Sequence, residues 1–390
     1  VVGGGLAAAC VLSAGFAAVA PSVALARDAG SGSGRAGFRG NSGVGTSTVY
    51  TETNQVGGNT VLAYRSGAGG TLTQVGSFTT GGTGTGVSPA SQGGVVLGDG
   101  GRLLAVVNGG SDSVSVFAVS PSGGLRLIDV ANSGGVDPIS VAVRGSSIYV
   151  LNAGNGTTPP NVAGFNLFGR SFLQQPVATQ NLNPGASSPE QIGISPNGRD
   201  LVVTEQTSNT IDVFPLDLFG MPGAAVTTTI PGNVGPYGFA FTPTGVLTLS
   251  EAATGALATF AINPSGALQA ISTVPDGQQA PCWVVLTAGG SEAFTSNAHS
   301  GNVSAYTVAR DGTLSLLPPA AQTSPGAGDT DLAIGGSTLY IGDDPNVDAS
   351  TISPAGLLGP STTAASGLPA GTFGLAATST PAIGFGDGDS

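Results

Sequence analysis

The stretch PEQIGISPNGRDLVVTEQTSNTIDVFPL, from Pro189 to Leu216, decides the fold of this chain. It contains three short apolar runs, separated by the turn-forming sequences SPNG and QTSN. Short runs rich in Val and Ile, bounded by Gly, Pro and Asn, predict β-strands joined by tight turns. The stretch therefore predicts three consecutive strands.

The same layout recurs along the chain. Further copies begin at Pro89, Pro138, Pro236, Pro281 and, without the proline, Asp331. With Pro189, these starts are 49, 51, 47, 45 and 50 residues apart, which is a period typical of repeat architectures. In most copies a turn such as PSGGL, PSGAL or RDGTL leads into a fourth strand. Four strands in a unit of this length predict one blade of a β-propeller.

The two ends of the chain supply a further blade. Residues Ser47–Phe78 predict strands two to four of a blade that has no first strand before them. Thr372–Thr380 (TFGLAATST) predicts a first strand with nothing after it. We therefore predict an all-β, seven-bladed propeller of four-stranded blades over residues 46–380, closed by pairing of the C-terminal strand with the N-terminal repeat.

The composition agrees with this fold and excludes some partners. The 390 residues include 66 Gly and 26 Pro, and only 8% are charged. All ten basic residues are Arg, scattered singly, and the formal net charge is −12. Nucleic acid binding requires clustered basic residues. We therefore expect no nucleic-acid partner. We also expect the protein to be a monomer.

The N-terminal residues have the form of an export signal. Residues 1–26 are apolar and end in Ala24-Leu25-Ala26, which predicts a signal peptide truncated at its start. A membrane anchor is the alternative, which the Gly/Ala-rich run and Pro21 disfavour. Residues 27–45 are predicted to be a Gly/Ser/Arg-rich linker and 381–390 a disordered tail. We expect a secreted or extracytoplasmic protein with no membrane contact after signal removal.

The residues that follow each repeat start are candidates for a binding site. The first strand of each propeller blade lines the central channel, and concave sites form where such strands converge. Most residues at these positions, such as Ala90 and Ser91 after Pro89, are small or apolar. The polar content is concentrated at Glu190, Gln191, Tyr237, Asp329 and Asp331, and Trp283 is a further aromatic candidate.

A second set of polar residues stands at the end of each predicted second strand. Its members are Asn108, Asn152, Glu205, Glu251, Asn297 and Asp343, with Glu52 or Asn54 in the first repeat. Asn and Asp favour the bends after strands, so a turn role explains them well. It explains Glu205 and Glu251 poorly, which leaves a channel-mouth binding role open. His299, the only histidine, fits either a catalytic base or a solvated turn residue.

The opening stretch resembles the lactonase-type propellers, which include 6-phosphogluconolactonases and carboxymuconate cyclase. The resemblance rests on Pro189-Glu190-Gln191, Ser195-Pro196-Asn197-Gly198, Thr204-Glu205 and Asn209-Thr210-Ile211-Asp212-Val213. The family has G-P-R-H, then H/S-P-N/D-G, then N-E at these places. The resemblance implies an active site in which Glu205 matches the family glutamate, whereas Glu190 and Gln191 replace its Arg and His.

Both replacements change the expected chemistry. Gln191 cannot carry a proton near neutral pH, as the family histidine can. Glu190 inverts the charge that would hold an anionic substrate. The repulsion energy between two like charges is roughly 3 kcal/mol at a separation of ~6 Å and an effective dielectric constant of ~20. We therefore expect a small ligand in the central channel that is neutral or cationic rather than anionic.

Two functions remain open from the sequence. In the first, Glu205, helped by Glu190 or Glu251, activates water on a neutral lactone, and Gln191 steadies the oxyanion. No cofactor is expected, although carboxylate and amide oxygens would suit Ca²⁺. In the second, the propeller is a catalytically inactive extracellular binding or scaffolding protein.

Overall fold

The structure is a computed structural model that describes residues 46–168, 171–172, 176–182, 188–319, 322–326 and 328–379. The predicted signal peptide, linker and tail (1–26, 27–45 and 381–390) lie outside the described residues. Within the described part of the chain, no helix has the length and hydropathy needed to span a membrane.

The described residues form seven antiparallel sheets, which we number as blades 1 to 7. Blade 1 consists of β1 (Ser47–Glu52), β2 (Thr60–Ser66), β3 (Leu72–Thr79) and β29 (Phe373–Ser379). Blade 2 consists of β4 (Val95–Gly98), β5 (Leu103–Asn108), β6 (Ser113–Val119) and β7 (Leu125–Asn132). Blade 3 consists of β8 (Pro138–Arg144), β9 (Ser147–Asn152), β10 (Asn161–Phe168), the two-residue β11 (Ser171–Phe172) and β12 (Ala178–Asn181).

The other four blades follow the four-strand plan in chain order. Blade 4 consists of β13 (Pro189–Ile194), β14 (Asp200–Glu205), β15 (Thr210–Pro215) and β16 (Val226–Thr229). Blade 5 consists of β17 (Pro236–Phe241), β18 (Leu247–Glu251), β19 (Ala256–Ile262) and β20 (Leu268–Pro275). Blade 6 consists of β21 (Pro281–Leu286), β22 (Glu292–Asn297), β23 (Asn302–Val308) and β24 (Leu314–Leu316). Blade 7 consists of β25 (Asp329–Gly335), β26 (Thr338–Asp343), β27 (Asn346–Thr351) and β28 (Thr362–Ser366).

The ring closes as the sequence predicts. Strand β29 is the innermost strand of blade 1 and pairs with β1 in register Thr48↔Thr378 and Val49↔Ala377. The backbone N–H of Thr48 also donates a hydrogen bond to Oγ1 of Thr378 at 3.1 Å. The seven-bladed, all-β fold and its closure by the C-terminal strand are therefore confirmed.

Adjacent blades pack face to face through apolar side chains. On β14, Leu201 and Val203 face blade 3 and pack in one cluster with Tyr149. Val202, from the opposite face of the same strand, packs in a second cluster with Phe239 of blade 5. This alternation follows the two-residue period of a strand, and it fixes which neighbouring blade each polar side chain faces.

The innermost strands begin with a recurring kink. A residue with positive φ precedes the repeat proline at Asp137, Ser188, Gly235 and Ala280. A β-bulge follows, so that Pro189 and Gln191 pair with the consecutive residues Glu205 and Thr204, leaving Glu190 as the extra residue. A bulge redirects the side chain of the extra residue, which here is the candidate site residue Glu190.

Candidate functional site

A short segment of blade 2, Ser91–Gly93, reaches across the central channel to blade 6. The Gln92 side-chain amide donates from Nε2 to the carbonyl oxygen of Val284 at 2.7 Å and accepts at Oε1 from the backbone N–H of Val284 at 3.0 Å. Beside it, Nε1 of Trp283 donates to the carbonyl oxygen of Ser91 at 3.1 Å. Because blades 2 and 6 are not neighbours in the ring, this segment closes the channel at this level.

Gln92 is a site residue that the sequence reasoning missed. Alignment of the repeats on Pro89 predicts that Ala90 and Ser91 lie at the channel. In the structure Ala90 has positive φ (59°), like Asp137 and Ser188 before their repeat prolines. The register is therefore shifted by two residues, and Gln92 occupies the position that Glu190 has in blade 4.

Glu190 and Tyr237 form a buried polar pair beside this crossing. The Tyr237 hydroxyl donates a hydrogen bond to the Glu190 carboxylate, and burial raises the pKa of Glu190 well above its usual value. The Tyr237 ring meets the Trp283 ring edge-on, with centroids 5.9 Å apart. Both aromatic side chains are fully buried, so they pack in the interior and do not line an open mouth.

Gln191 is fixed to blade 5 by its amide. Its Nε2 donates to the carbonyl oxygen of Phe239 at 3.0 Å, and its Oε1 accepts from the Phe239 backbone N–H at 2.6 Å. This pair of bonds imitates a backbone bridge between the innermost strands of two blades. It occupies the amide oxygen and one of the two N–H donors of the Gln191 side chain.

Beyond this crossing the channel holds a cavity of about 490 Å³. Its walls come from the innermost strands and are mostly apolar, including Val95, Phe241, Val285, Ile334 and Ala377. Its polar lining groups are Gln92, Gln191, Thr287 and Asp331. The cavity is therefore an apolar chamber with amide and carboxyl groups among its walls.

Asp331 is the acid of this chamber. Its carboxylate accepts backbone N–H bonds from Leu332 at 2.7 Å and Leu375 at 3.1 Å, and a further one from Gly93. Burial raises the pKa of Asp331 to about 7, although these three donors oppose the shift. The carboxyl is thus held rigidly at the junction of blades 1, 2 and 7.

Glu205 lies on the other face of its sheet from Gln191. Gln191 pairs with Thr204, whose hydroxyl donates to the backbone of Tyr237 in blade 5. Glu205 is the next residue on β14, so its side chain faces blade 3. Its Oε2 accepts from Ser208 Oγ at 2.9 Å and Thr210 Oγ1 at 3.0 Å. Burial, and secondarily the charge of Asp212, raises the pKa of Glu205 to about 7.

In five blades, the residue of the second polar set braces the hairpin between the second and third strands. Asn108 donates to Ser113 and Ser115, and Asn297 donates to Asn302 and Ser304. Equivalent bonds join Asn152 to Asn161, Glu52 to Asn59 and Glu205 to Thr210. Each of these residues therefore has a bond within its own blade, as the turn interpretation expects, and Asn108 Oδ1 also accepts from Asn59 of blade 1 at 3.1 Å.

The remaining candidates lie apart from one another. Burial, followed by the charges of Asp348 and Asp344, raises the pKa of Asp343 to about 6. Glu251 lines a slot between blades 4 and 5. His299 is exposed in the turn between β22 and β23. The side chain of Asp329 is outside the described part of the structure. Among the described residues, no three His, Cys, Asp or Glu side chains group as metal ligands.

Seven four-stranded blades around a closed channel define the chain as a seven-bladed β-propeller. The family model described as "Lactonase, 7-bladed beta-propeller" matches residues 239–331, and the resemblance to lactonase-type propellers is confirmed.

Solved structures agree with this fold. The periplasmic gluconolactonase of Pseudomonas aeruginosa superposes with a TM-score of 0.68 at 18% identity, over 86% of this chain and 100% of that one. A candidate 6-phosphogluconolactonase from Bacteroides uniformis gives 0.68 at 18% identity, over 84% and 99% of the two chains. Identity at this level shows a shared fold. No curated protein sequence matches the chain significantly.

Proposed function

We propose that this chain is an exported, monomeric propeller of the lactonase type that binds an uncharged or cationic small molecule in its central channel. The observation that carries the proposal is the 490 Å³ cavity with the Asp331 carboxyl in its wall. That volume falls in the range of small-molecule sites, roughly 300–1,000 Å³. Apolar walls with a few fixed polar groups are the usual composition of such sites.

The charges in and beside the cavity favour the same ligand class. Asp331 and the nearby Glu190 are buried acids, and the net charge of the chain is −12. A buried anionic ligand would meet carboxyl groups with no Arg among the residues that line the cavity. A neutral ring compound loses little solvation on entry, and an ammonium group gains a carboxylate partner.

Calorimetric titration with dihydrocoumarin, a neutral aromatic lactone, and with benzylamine tests the binding. Ala240→Leu narrows the cavity, because Ala240 lines it. Ala118→Leu adds the same volume on β6, outside the cavity. We expect at least tenfold weaker binding of the better probe in Ala240→Leu and wild-type affinity in Ala118→Leu. The proposal fails if neither probe binds, or if both variants bind like the wild type.

A second candidate function is hydrolysis of a neutral lactone with Glu205 as general base. It is favoured by the pKa of Glu205, which burial raises to about 7, near the optimum for a base at neutral pH. In this reaction Glu205 would take a proton from the water that attacks the lactone carbonyl. Because Glu205 is fully buried, the turn after it would have to open to admit that water.

A lactone panel separates the two functions. Turnover of neutral and anionic lactones would be followed by acid release, with added Ca²⁺ and with a chelator. Hydrolysis by Glu205 predicts turnover of neutral lactones that falls at least a hundredfold in Glu205→Gln. Turnover that is lost in Asp331→Asn, and not in Glu205→Gln, would instead place the reaction in the channel cavity. No turnover in the wild type leaves ligand binding as the function.

A further inference from the structure

The slot between blades 4 and 5 is a second concave site, separate from the channel. It has a volume of about 360 Å³ and opens between the outer strands β16 and β20. Its walls are largely apolar and include Ile230, Val234, Phe260, Leu268 and Ala270. The carboxyl group in its lining is Glu251, which is only 4% exposed.

Glu251 differs from its equivalents in blades 2 and 6 because the third strand of its own blade offers no polar partner. In blades 2 and 6 the equivalent Asn108 and Asn297 bond to polar side chains on the third strand. In blade 5 the residue opposite Glu251 is Ala256, and the next residue on that face is Ala258.

The carboxyl of Glu251 instead lines the slot. Within the described part of the chain, its recorded side-chain hydrogen bond is to Thr254 Oγ1, which donates to Oε2 at 3.1 Å. Burial raises the pKa of Glu251, and the single hydrogen bond from Thr254 only partly opposes this shift. A buried carboxylate gains most from a cationic donor placed against it.

We propose that the slot binds a small primary ammonium compound with an apolar body, with Glu251 as the carboxylate that receives the ammonium group. The apolar walls accept a ring or short alkyl chain, and the acid at the inner end accepts the charged head. The volume admits a single ligand of this size and excludes longer polyamines from full burial. This site is independent of the ligand proposed for the channel.

Calorimetric titration of the full chain with phenethylamine, and with its neutral and anionic analogues 2-phenylethanol and phenylacetate, tests the charge requirement. We expect the amine to bind at least tenfold more tightly than the alcohol, and phenylacetate not to bind. Glu251→Gln should weaken amine binding at least tenfold. The matched control Asp129→Asn removes the same charge from β7 of blade 2 and should leave the affinity unchanged.

Two further variants keep the test decisive if Glu251→Gln folds poorly. Ala256→Ser supplies the hydroxyl that blades 2 and 4 place opposite this position, and should weaken amine binding while leaving the acid in place. Ala270→Trp should fill the slot and abolish amine binding. Amine binding that survives both variants, or equal affinity for the amine and the alcohol, overturns the proposal, as does the absence of amine binding in the wild type.

Discussion

Gln92 and Val284, 192 residues apart in the chain, are joined by two hydrogen bonds across the central channel, at 2.7 and 3.0 Å. The bonds use both polar atoms of the Gln92 amide and both backbone groups of Val284. All four groups are buried, so removal of the Gln92 amide would leave the backbone groups of Val284 without these hydrogen-bond partners.

Replacement of Gln92 by Ala should therefore destabilise the fold. The change leaves the backbone N–H and carbonyl of Val284 without partners, at a cost of about 1–3 kcal/mol each before any water enters. We expect the free energy of unfolding to fall by ~2–4 kcal/mol in urea titrations. Gln74→Ala removes an exposed amide from β3 and serves as the control. A Gln92→Ala protein as stable as this control would contradict the role of the crossing.

Stability should fall as the pH rises from about 4.5 to about 7. Burial raises the pKa of Glu205 and of Asp331 to about 7. The folded state thus holds protons that the unfolded state releases, so each rise in pH through this window favours unfolding, with no further loss above it. Each such group can contribute up to about 1.4 kcal/mol per pH unit.

Glu205→Gln should flatten this pH dependence, because the amide does not titrate. The measurement is the free energy of unfolding at several pH values for the wild type and the variant. Their difference should grow between about pH 4.5 and 7 in favour of the variant. Parallel curves would show that Glu205 titrates normally.

Removal of β29 should abolish cooperative folding. A chain that ends at Gly371 leaves β1 as an unpaired inner edge and exposes the apolar side chains Val49 and Tyr50. Circular dichroism and size-exclusion chromatography should show a loosened, associating protein. A circular permutant that begins at Thr372 and joins Ser379 to Thr46 by a short turn keeps the strand pair and should fold normally.

Trp283 provides a direct check on the channel crossing. It is the only tryptophan in the chain and is 1% exposed. Its native fluorescence should be blue-shifted and resistant to iodide quenching, and both properties should be lost on unfolding. Easy quenching in the native protein would place Trp283 at an open channel mouth.

The blade architecture could be predicted because the same pattern of strands and turns recurs along the sequence. Each unit has its own strand and turn pattern, and the missing first strand before Ser47 matched the surplus strand after Thr372. The strand order, the closure and the hairpin-end polar residues followed from this local pattern.

The arrangement of the candidate site was less accessible, because it depends on register. The bulge at Glu190 places the side chains of Gln191 and Glu205 on opposite faces of blade 4. A simple alternating strand pattern does not predict this arrangement. Similarly, the kink before the first strand of blade 2 is at Ala90 and not before Pro89, so alignment on Pro89 does not indicate Gln92 as a site residue. Burial of Tyr237 and Trp283 depends on a segment from another blade, which no local pattern reports.

The pairing of β29 with β1 also sets the timing of folding. The two strands are more than 320 residues apart, so the innermost strand of the first blade is synthesised after all the other strands of the propeller. Until that strand emerges, blade 1 lacks its inner edge, and the ring can close only late and by a long-range encounter, which is slow. Nascent chains therefore risk pairing with one another at that open edge throughout the interval between the synthesis of β1 and that of β29.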